Sequence, residues 1–337
     1  MSAIVSWEGR PYVTSSDADP ALEAAALVVL DWSARMGDSR EHARVFEEVV
    51  GDALPAAEVR MLEYLNGREP VPTSAAASAL GIDLSQASRQ ARRLEQAGYV
   101  ARVPDPDDGR RTLLHIAPAS QPIMDRWLVS WAEQHLAVAA GWSTADLTEM
   151  TAWLCHMHRG LNELLPGHPE SAAPPRWRKL ADDGSFTAEQ LDFGEMATRF
   201  YAWAAHAGWF EHVIEREAPA LTPLLYVTLR IVDRHGPLSV AELAERTWVD
   251  HTQASKRVTK LVELGLVDRA PGAFDRRSSL VRSSRRGSAL VARIVASQLA
   301  ALRDAIGPLP EAVRTRRTEL MERYVGALLD HDAVFNW

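Results

Sequence analysis

The sequence predicts a mainly α-helical chain with small β-hairpin wings, an α+β architecture in which one module is present twice. Three observations predict it. Most of the stretch from Asp83 to Ile116 is repeated: 167 residues after Ser85-Gln86-Ala87-Ser88-Arg89 stands Thr252-Gln253-Ala254-Ser255-Lys256, and the register holds without a gap to the end of the stretch. The punctuation is repeated as well, with Gly98 on Gly265, Pro104 on Pro271, Asp108 on Asp275 and Arg110 on Arg277, so turns and strands are duplicated along with the helix pattern. Finally, 337 residues suffice for two domains with cores of their own.

In chain order, residues 1–19 are polar and broken by Gly9, Pro11 and a Ser-Ser pair, the composition of a flexible arm. Pro20 suits the first turn of a helix, and Ala21 to Met36 is rich in Ala, Leu and Val. Gly37-Asp38 interrupts before a second helix from Glu41 to Val50. Ala56 to Leu65 reads as the next helix. Thr73 to Leu80 is a short one, and Gly81 separates it from the duplicated stretch.

That stretch opens with Asp83 as N-cap and Gln86 three residues later, a capping-box-like pair, with Asp250 and Gln253 as the second-copy equivalents. The buried stripe is short: Ala87, Ala91 and Leu94 in the first copy, Ala254, Val258 and Leu261 in the second. The face expected to point outward carries Gln86, Arg89, Gln90 and Arg93, or Gln253, Lys256, Arg257 and Lys260. These long donors suit phosphates and base edges, while the small Ser88 and Ser255 let the helix come close to a duplex. Ser85 and Thr252 complete the candidate sets. Next come two apolar-rich runs, Tyr99 to Val103 and Thr112 to Ile116, flanking the turn residues Pro104 to Arg111, and so a hairpin. Helix followed by hairpin is a winged helix-turn-helix.

The residues Leu84 to Arg89, then Leu94-Glu95-Gln96-Ala97-Gly98-Tyr99-Val100 and Asp105-Pro106-Asp107-Asp108-Gly109-Arg110, together resemble the MarR family of bacterial transcriptional regulators, the wing being the specific part. The resemblance implies a helix pair that enters the major groove of double-stranded DNA, a wing Arg (Arg110, and Arg277 in the second copy) that reaches the minor groove, and a wing Asp (Asp108, Asp275) that orients it. The second copy departs from the pattern at Gly272-Ala273-Phe274.

After the first wing, Gln121 to Ala140 and Thr144 to Leu165 read as two long helices broken at Gly141-Trp142-Ser143. Pro166 to Gly184 contains four prolines and two glycines and reads as a linker. The second copy then runs through Phe186 to Ala218, Leu224 to Asp233, Ser239 to Thr247 with a capping box at Ser239 and Glu242, Gly287 to Ile306 and Glu311 to His331. The expected division is an arm at 1–19, a first repeat at 20–165, a linker at 166–185 and a second repeat at 186–337. In the MarR family, the first and last helices of two subunits interlock. By resemblance the two repeats of this chain do so within one polypeptide, as a pseudo-twofold dimer that leaves a further homodimer open.

A net charge of −8 opposes DNA binding as a bulk property. Its distribution does not: Leu84 to Arg111 holds six cations against four acids, and His251 to Arg286 nine against three. The run Arg314 to Arg317 reads as a solvated helix face. A hydrophobic content of 47% is globular, no apolar run is long enough for a membrane, and no signal pattern opens the chain, which reads as cytoplasmic. The single Cys155 excludes an intramolecular disulfide and reads as buried filler rather than a sensor thiol.

Eleven tryptophans against six tyrosines and seven phenylalanines are a skewed aromatic choice. Trp127 and Trp131 form one helical stripe, either plain core or the wall of a ligand site. The resemblance implies a small aromatic or phenolic effector between body helices and wing, with Trp32, Arg60, Tyr64, Trp127 and Trp131 as candidates in the first copy and Trp203, His206, Tyr226 and Arg230 in the second. His156 and His158 are two apart on a helix and face different sides, so no metal site is assigned. There is no nucleophile elbow, phosphate loop or dinucleotide fingerprint, so no catalytic residue or cofactor is assigned either. The competing reading is a ligand-sequestering or catalytic pseudo-dimer with little DNA affinity. The cations kept at both tips favour the regulator.

Overall fold

The computed structural model describes residues 21–36, 40–80, 82–164, 186–206, 213–214, 216–247, 249, 251–271 and 279–334, with side chains at 31–36, 40–41, 202, 205–206, 270–271, 279 and 329–334 left aside. The expected arm, the linker, the Asp250 cap, the second wing tip with Asp275 and Arg277, and the side chains of Trp32 and His206 lie outside the described residues.

The first repeat comprises α1 (Ala21–Met36), α2 (Arg40–Val50), α3 (Ala56–Leu65), β1 (Val71–Pro72), α4 (Thr73–Ala79), α5 (Leu84–Gln96), β2 (Val100–Pro104), β3 (Thr112–Ile116), α6 (Gln121–Val138) and α7 (Thr144–Leu164). The second comprises α8 (Ala188–His206), α9 (Pro223–His235), β4 (Leu238–Ser239), α10 (Val240–Arg246), α11 (His251–Glu263), β5 (Val267–Pro271), β6 (Ser279–Ser283), α12 (Arg285–Ile306) and α13 (Glu311–Val334). The chain is mostly helical. First residues of matching elements lie 167 positions apart from α1 and α8 through α7 and α13, so the duplication covers far more than the stretch in which sequence identity reveals it. The helix after the wing is the exception. In the second copy it begins early because the Ser284 hydroxyl accepts from Gly287 N at 3.0 Å and caps it. In the first copy Pro118–Ser120 forms a 3-10 turn instead.

Local chemistry sets the boundaries. The Asp83 carboxylate accepts from Gln86 N at 2.7 Å and starts α5. Ser239 and Glu242 make the expected capping box. Ser143 with Asp146, and Thr187 with Gln190, make two more. The Thr187 cap explains why the second repeat's first helix begins at Ala188 and not at Phe186. Gly98 (φ 81°) and Gly265 (φ 68°) both end their helices in the left-handed region, where a side chain would be strained. Each hairpin acquires a third strand that two residues could not announce: the sheets run β1-β3-β2 and β4-β6-β5, all pairs antiparallel.

Two compact units result. One holds the described residues of Met1–Asn162, Pro169–His206 and Pro308–Trp337, and the other those of Glu163–His168 and Ala207–Gly307. The first unit therefore contains helices of both repeats: α8 and α13 each pack on α1 and on α6. α1 is buried on every side, Leu22 to Leu30 being at most 5% exposed, which is the burial of a helix surrounded by others. Arg314 to Arg317 is solvated only in part, at Thr315 and Arg316, and its arginines are paired. Arg314 reaches both oxygens of Glu23, itself 1% exposed, at 3.1 Å; Arg317 meets Glu149 at 3.0 Å, and Arg316 meets Asp146. These pairs tie the second repeat's last helix to α1 and α7 of the first. In the second unit α9 is central, with Tyr226, Thr228 and Leu229 fully buried.

Candidate functional site

On α5 the buried stripe is Ala87, Gln90, Ala91 and Leu94. Gln90 is a correction: it is 3% exposed and points inward, because it lies one turn from Ala87 and Leu94 rather than on the opposite face. Ser85, Arg89 and Arg93 are exposed, and Gln86 and Ser88 half-buried. The residue missed by sequence reasoning is Arg92, exposed and without an ion pair among the described residues. The signal was available, since Ser85, Arg89, Arg92 and Gln96 follow the helical spacing opposite the buried stripe. Asp83, Ser85 and Arg89 form a chain at the helix start. Ser85 Oγ donates to Asp83 at 2.5 Å and Arg89 Nη1 to Ser85 Oγ at 3.4 Å. The hydrogen bond from Ser85, then that from Gln86 N, holds the Asp83 carboxyl below its ordinary value, so it stays charged.

The first wing is a turn built on carboxylates. Asp108 accepts from Arg110 N at 3.1 Å, its carbonyl accepts from Arg111 N at 2.8 Å, and Asp105 accepts from Asp107 N at 3.0 Å. Asp108 thus orients Arg110 through the backbone, leaving the exposed guanidinium unpaired among the described residues. On α11 the second-copy residues Thr252, Gln253, Lys256 and Lys260 are exposed and Arg257 is half-buried, matching the inward shift of Gln90.

The aromatic candidates divide. Trp127 (2% exposed) and Trp131 (3%) meet edge to face at 5.3 Å. Around them stand residues the sequence did not single out. Glu63 accepts from Trp127 Nε1 at 2.9 Å and lies 3.1 Å from Nε2 of His42, which is fully buried. Trp131 stacks on His42 at 5.6 Å and on Tyr201 of the second repeat at 4.4 Å. Tyr201's pKa is raised well above its ordinary value, by desolvation first and then by the Glu63 charge, with Arg60 opposing, so the phenol stays protonated. Arg60 therefore belongs to this cluster. Tyr64 is buried under Arg68, 4.6 Å from its ring. Trp203 donates to Asn162 Oδ1 at 2.6 Å in the first unit, whereas Tyr226, hydrogen-bonded to Gln298 at 3.1 Å, and Arg230, 6.0 Å from the Tyr226 ring, belong to the second. His42 sits on a stripe with Val45 and Phe46 that sequence spacing could have flagged. Glu63 and Tyr201 could not have been found, the one reading as a solvated carboxylate and the other coming from a distant helix.

Beside the cluster, His135 and Tyr324 meet at 2.8 Å and line a cavity with Val29, Phe200 and Tyr201. It offers about 10 Å³ to the centre of a water-sized sphere, room for one water and no more. Cys155 is exposed rather than buried, its sulfur 3.1 Å from Met196 Sδ, and desolvation raises its pKa, so it is a poor thiolate. His156 stacks on Trp153 while His158 faces Asn162 and Trp203. No helix among the described residues is long and apolar enough to cross a membrane.

Two winged helix-turn-helix modules, with body helices of both copies interlocked, define the class. The MarR family model matches residues 54–111 and again 221–278, two segments that keep the 167-residue spacing. The chain thus carries two MarR-type modules, one in each repeat. It is 38% identical over 73 residues to the HTH-type transcriptional repressor NicR of Pseudomonas putida, a match covering 22% of this chain and 46% of that one. Among solved structures it is similar to RV1404 of Mycobacterium tuberculosis (25% identity, 33% of this chain, 76% of that one, TM-score 0.31). Another is a structure of BpsR of Bordetella bronchiseptica that addresses regulation of its DNA binding by 6-hydroxynicotinic acid (22% identity, 32% and 80%, TM-score 0.26).

Proposed function

We propose that the protein is a cytoplasmic, DNA-binding transcriptional repressor whose two modules read unequal halves of one operator and whose affinity is set by a small aromatic acid or phenol. The observation that carries this reading is the outward row of α5, where Arg89 and Arg92 stand exposed, with Arg110 exposed on the wing of the same family-matched module. Such a row supplies phosphate and base-edge contacts. The basic surface is local, so an acidic chain does not oppose it. The repeats are taken as 20–165 and 186–337, with an arm at 1–19 and a linker at 166–185. Asp275 and Arg277 are assigned to the second wing on the repeat alone.

The effector is placed at Trp127, Trp131 and Arg60, with His42, Glu63 and Tyr201 as further contacts. An aromatic wall with one cation suits a planar anion. The cluster is closed, so occupancy requires the Trp131 contacts to part, which would move α6 against α8. No catalytic role is assigned.

The test is fluorescence anisotropy of the protein on labelled duplex from upstream of its own gene, beside scrambled duplex, across a salt series. Selective binding that weakens steeply with salt supports the reading. Equal affinity for both duplexes at low salt would refute it and turn attention to the aromatic cluster as a sequestering site.

A further inference from the structure

The two reading helices carry a cation at the same register position, Arg93 in α5 and Lys260 in α11, but the structure sets them in different company. Arg93 leaves its helix toward α3, where Nη2 lies 2.5 Å from Oε1 of Glu58. Glu58 is 2% exposed, and apart from Arg93 no hydrogen-bond donor among the described residues reaches either of its oxygens. A buried carboxylate without a cation is strongly unfavourable, so Arg93 is held by the protein. Although its side chain is 62% exposed, leaving Glu58 for a phosphate would strand that charge. In the second copy, the residue 167 positions after Glu58 is Leu225, and among the described residues no buried acid pairs with Lys260. Lys260 pairs with Glu263 at 3.0 Å, both side chains being more than half exposed, a contact weak enough to exchange for phosphate.

We infer that Arg93 is a positioning residue that braces α5 against α3 through Glu58, whereas Lys260 contacts the DNA backbone directly. The duplicated modules thus use one position for two purposes. The brace has a further consequence for regulation. α3 also carries Glu63, which holds Trp127 and His42, so the reading helix and the aromatic cluster hang from opposite ends of one ten-residue helix. The inference rests on the DNA-binding reading above.

It is tested on the full-length protein by the slope of log K against log salt, which counts neutralised phosphates. Arg93→Gln is expected to weaken operator binding about tenfold with the slope unchanged, and Lys260→Gln to lower the slope by about 1. Glu58→Leu, which installs the second copy's solution, is expected to restore affinity in the Arg93→Gln background, guarding against a variant that merely folds poorly. A lower slope for Arg93→Gln, or no rescue by Glu58→Leu, overturns the inference while leaving the regulator reading intact. Absence of selective binding by the unsubstituted protein overturns both.

Discussion

Trp131 is where the interlock of the two repeats can be weighed. It lies on α6 of the first repeat, 3% exposed, with its ring stacked on Tyr201 of the second repeat at 4.4 Å and edge-on to Trp127 at 5.3 Å. Truncating a buried Trp costs about 3–5 kcal/mol through lost transfer energy and the cavity left behind. Of that, about 0.5–1.5 kcal/mol belongs to an aromatic pair such as Trp131 and Tyr201. Trp131→Ala is thus expected to destabilise the first unit by about 4 kcal/mol. A double-mutant cycle with Tyr201→Ala should return a coupling of about 1 kcal/mol. Urea unfolding followed by near-ultraviolet circular dichroism reads both, provided the two units are resolved as separate transitions. A loss below about 1 kcal/mol, or a coupling indistinguishable from zero, would refute the claim that this contact joins the repeats.

Other expectations follow from single residues. Gln90→Leu should leave operator affinity unchanged and stability equal or slightly higher, because among the described residues Gln90 Oε1 is buried without a partner; Arg92→Ala should cut affinity and lower the salt slope by about 1. Arg314→Ala removes the pair to the buried Glu23 and is expected to cost about 3 kcal/mol in chemical denaturation, while Glu23→Leu with Arg314→Met should be close to neutral. Asp83 has a pKa held below its ordinary 3.8, so its contribution to α5 is complete above that value and fades as pH falls through the lower folded one. Hydrogen exchange at the Gln86 amide should show protection disappearing on acidification, and Asp83→Asn should flatten that dependence.

The duplication was legible because punctuation survives where packing residues drift: Gly98 and Gly265, or Pro104 and Pro271, are fixed by backbone conformation, which tolerates few substitutes. The same holds for the caps at Asp83 and Ser239, whose chemistry is local. Gln90 was misplaced because a polar residue next to the buried stripe looks like surface, although helical phase puts it one turn from Ala87 and Leu94. The strands β1 and β4 escaped notice, being two residues long and defined by partners far along the chain, such as Leu113 for Pro72 and Leu280 for Ser239. The pairing of Arg314, Arg316 and Arg317 was hidden because their acids, Glu23, Asp146 and Glu149, come from the other repeat. Tyr201 was hidden for the same reason, and Glu58 and Glu63 because a carboxylate on a helix gives no sign of burial.

The central claim is that one chain presents two unequal reading modules. The most direct measurement is a hydroxyl-radical footprint of the full-length protein on an operator selected from random duplex. The account expects two protected half-sites of different sequence, the half facing α5 losing protection with Arg92→Ala and the other with Lys256→Ala. A perfect inverted repeat protected equally in both halves, or a footprint that both substitutions erase alike, would contradict it.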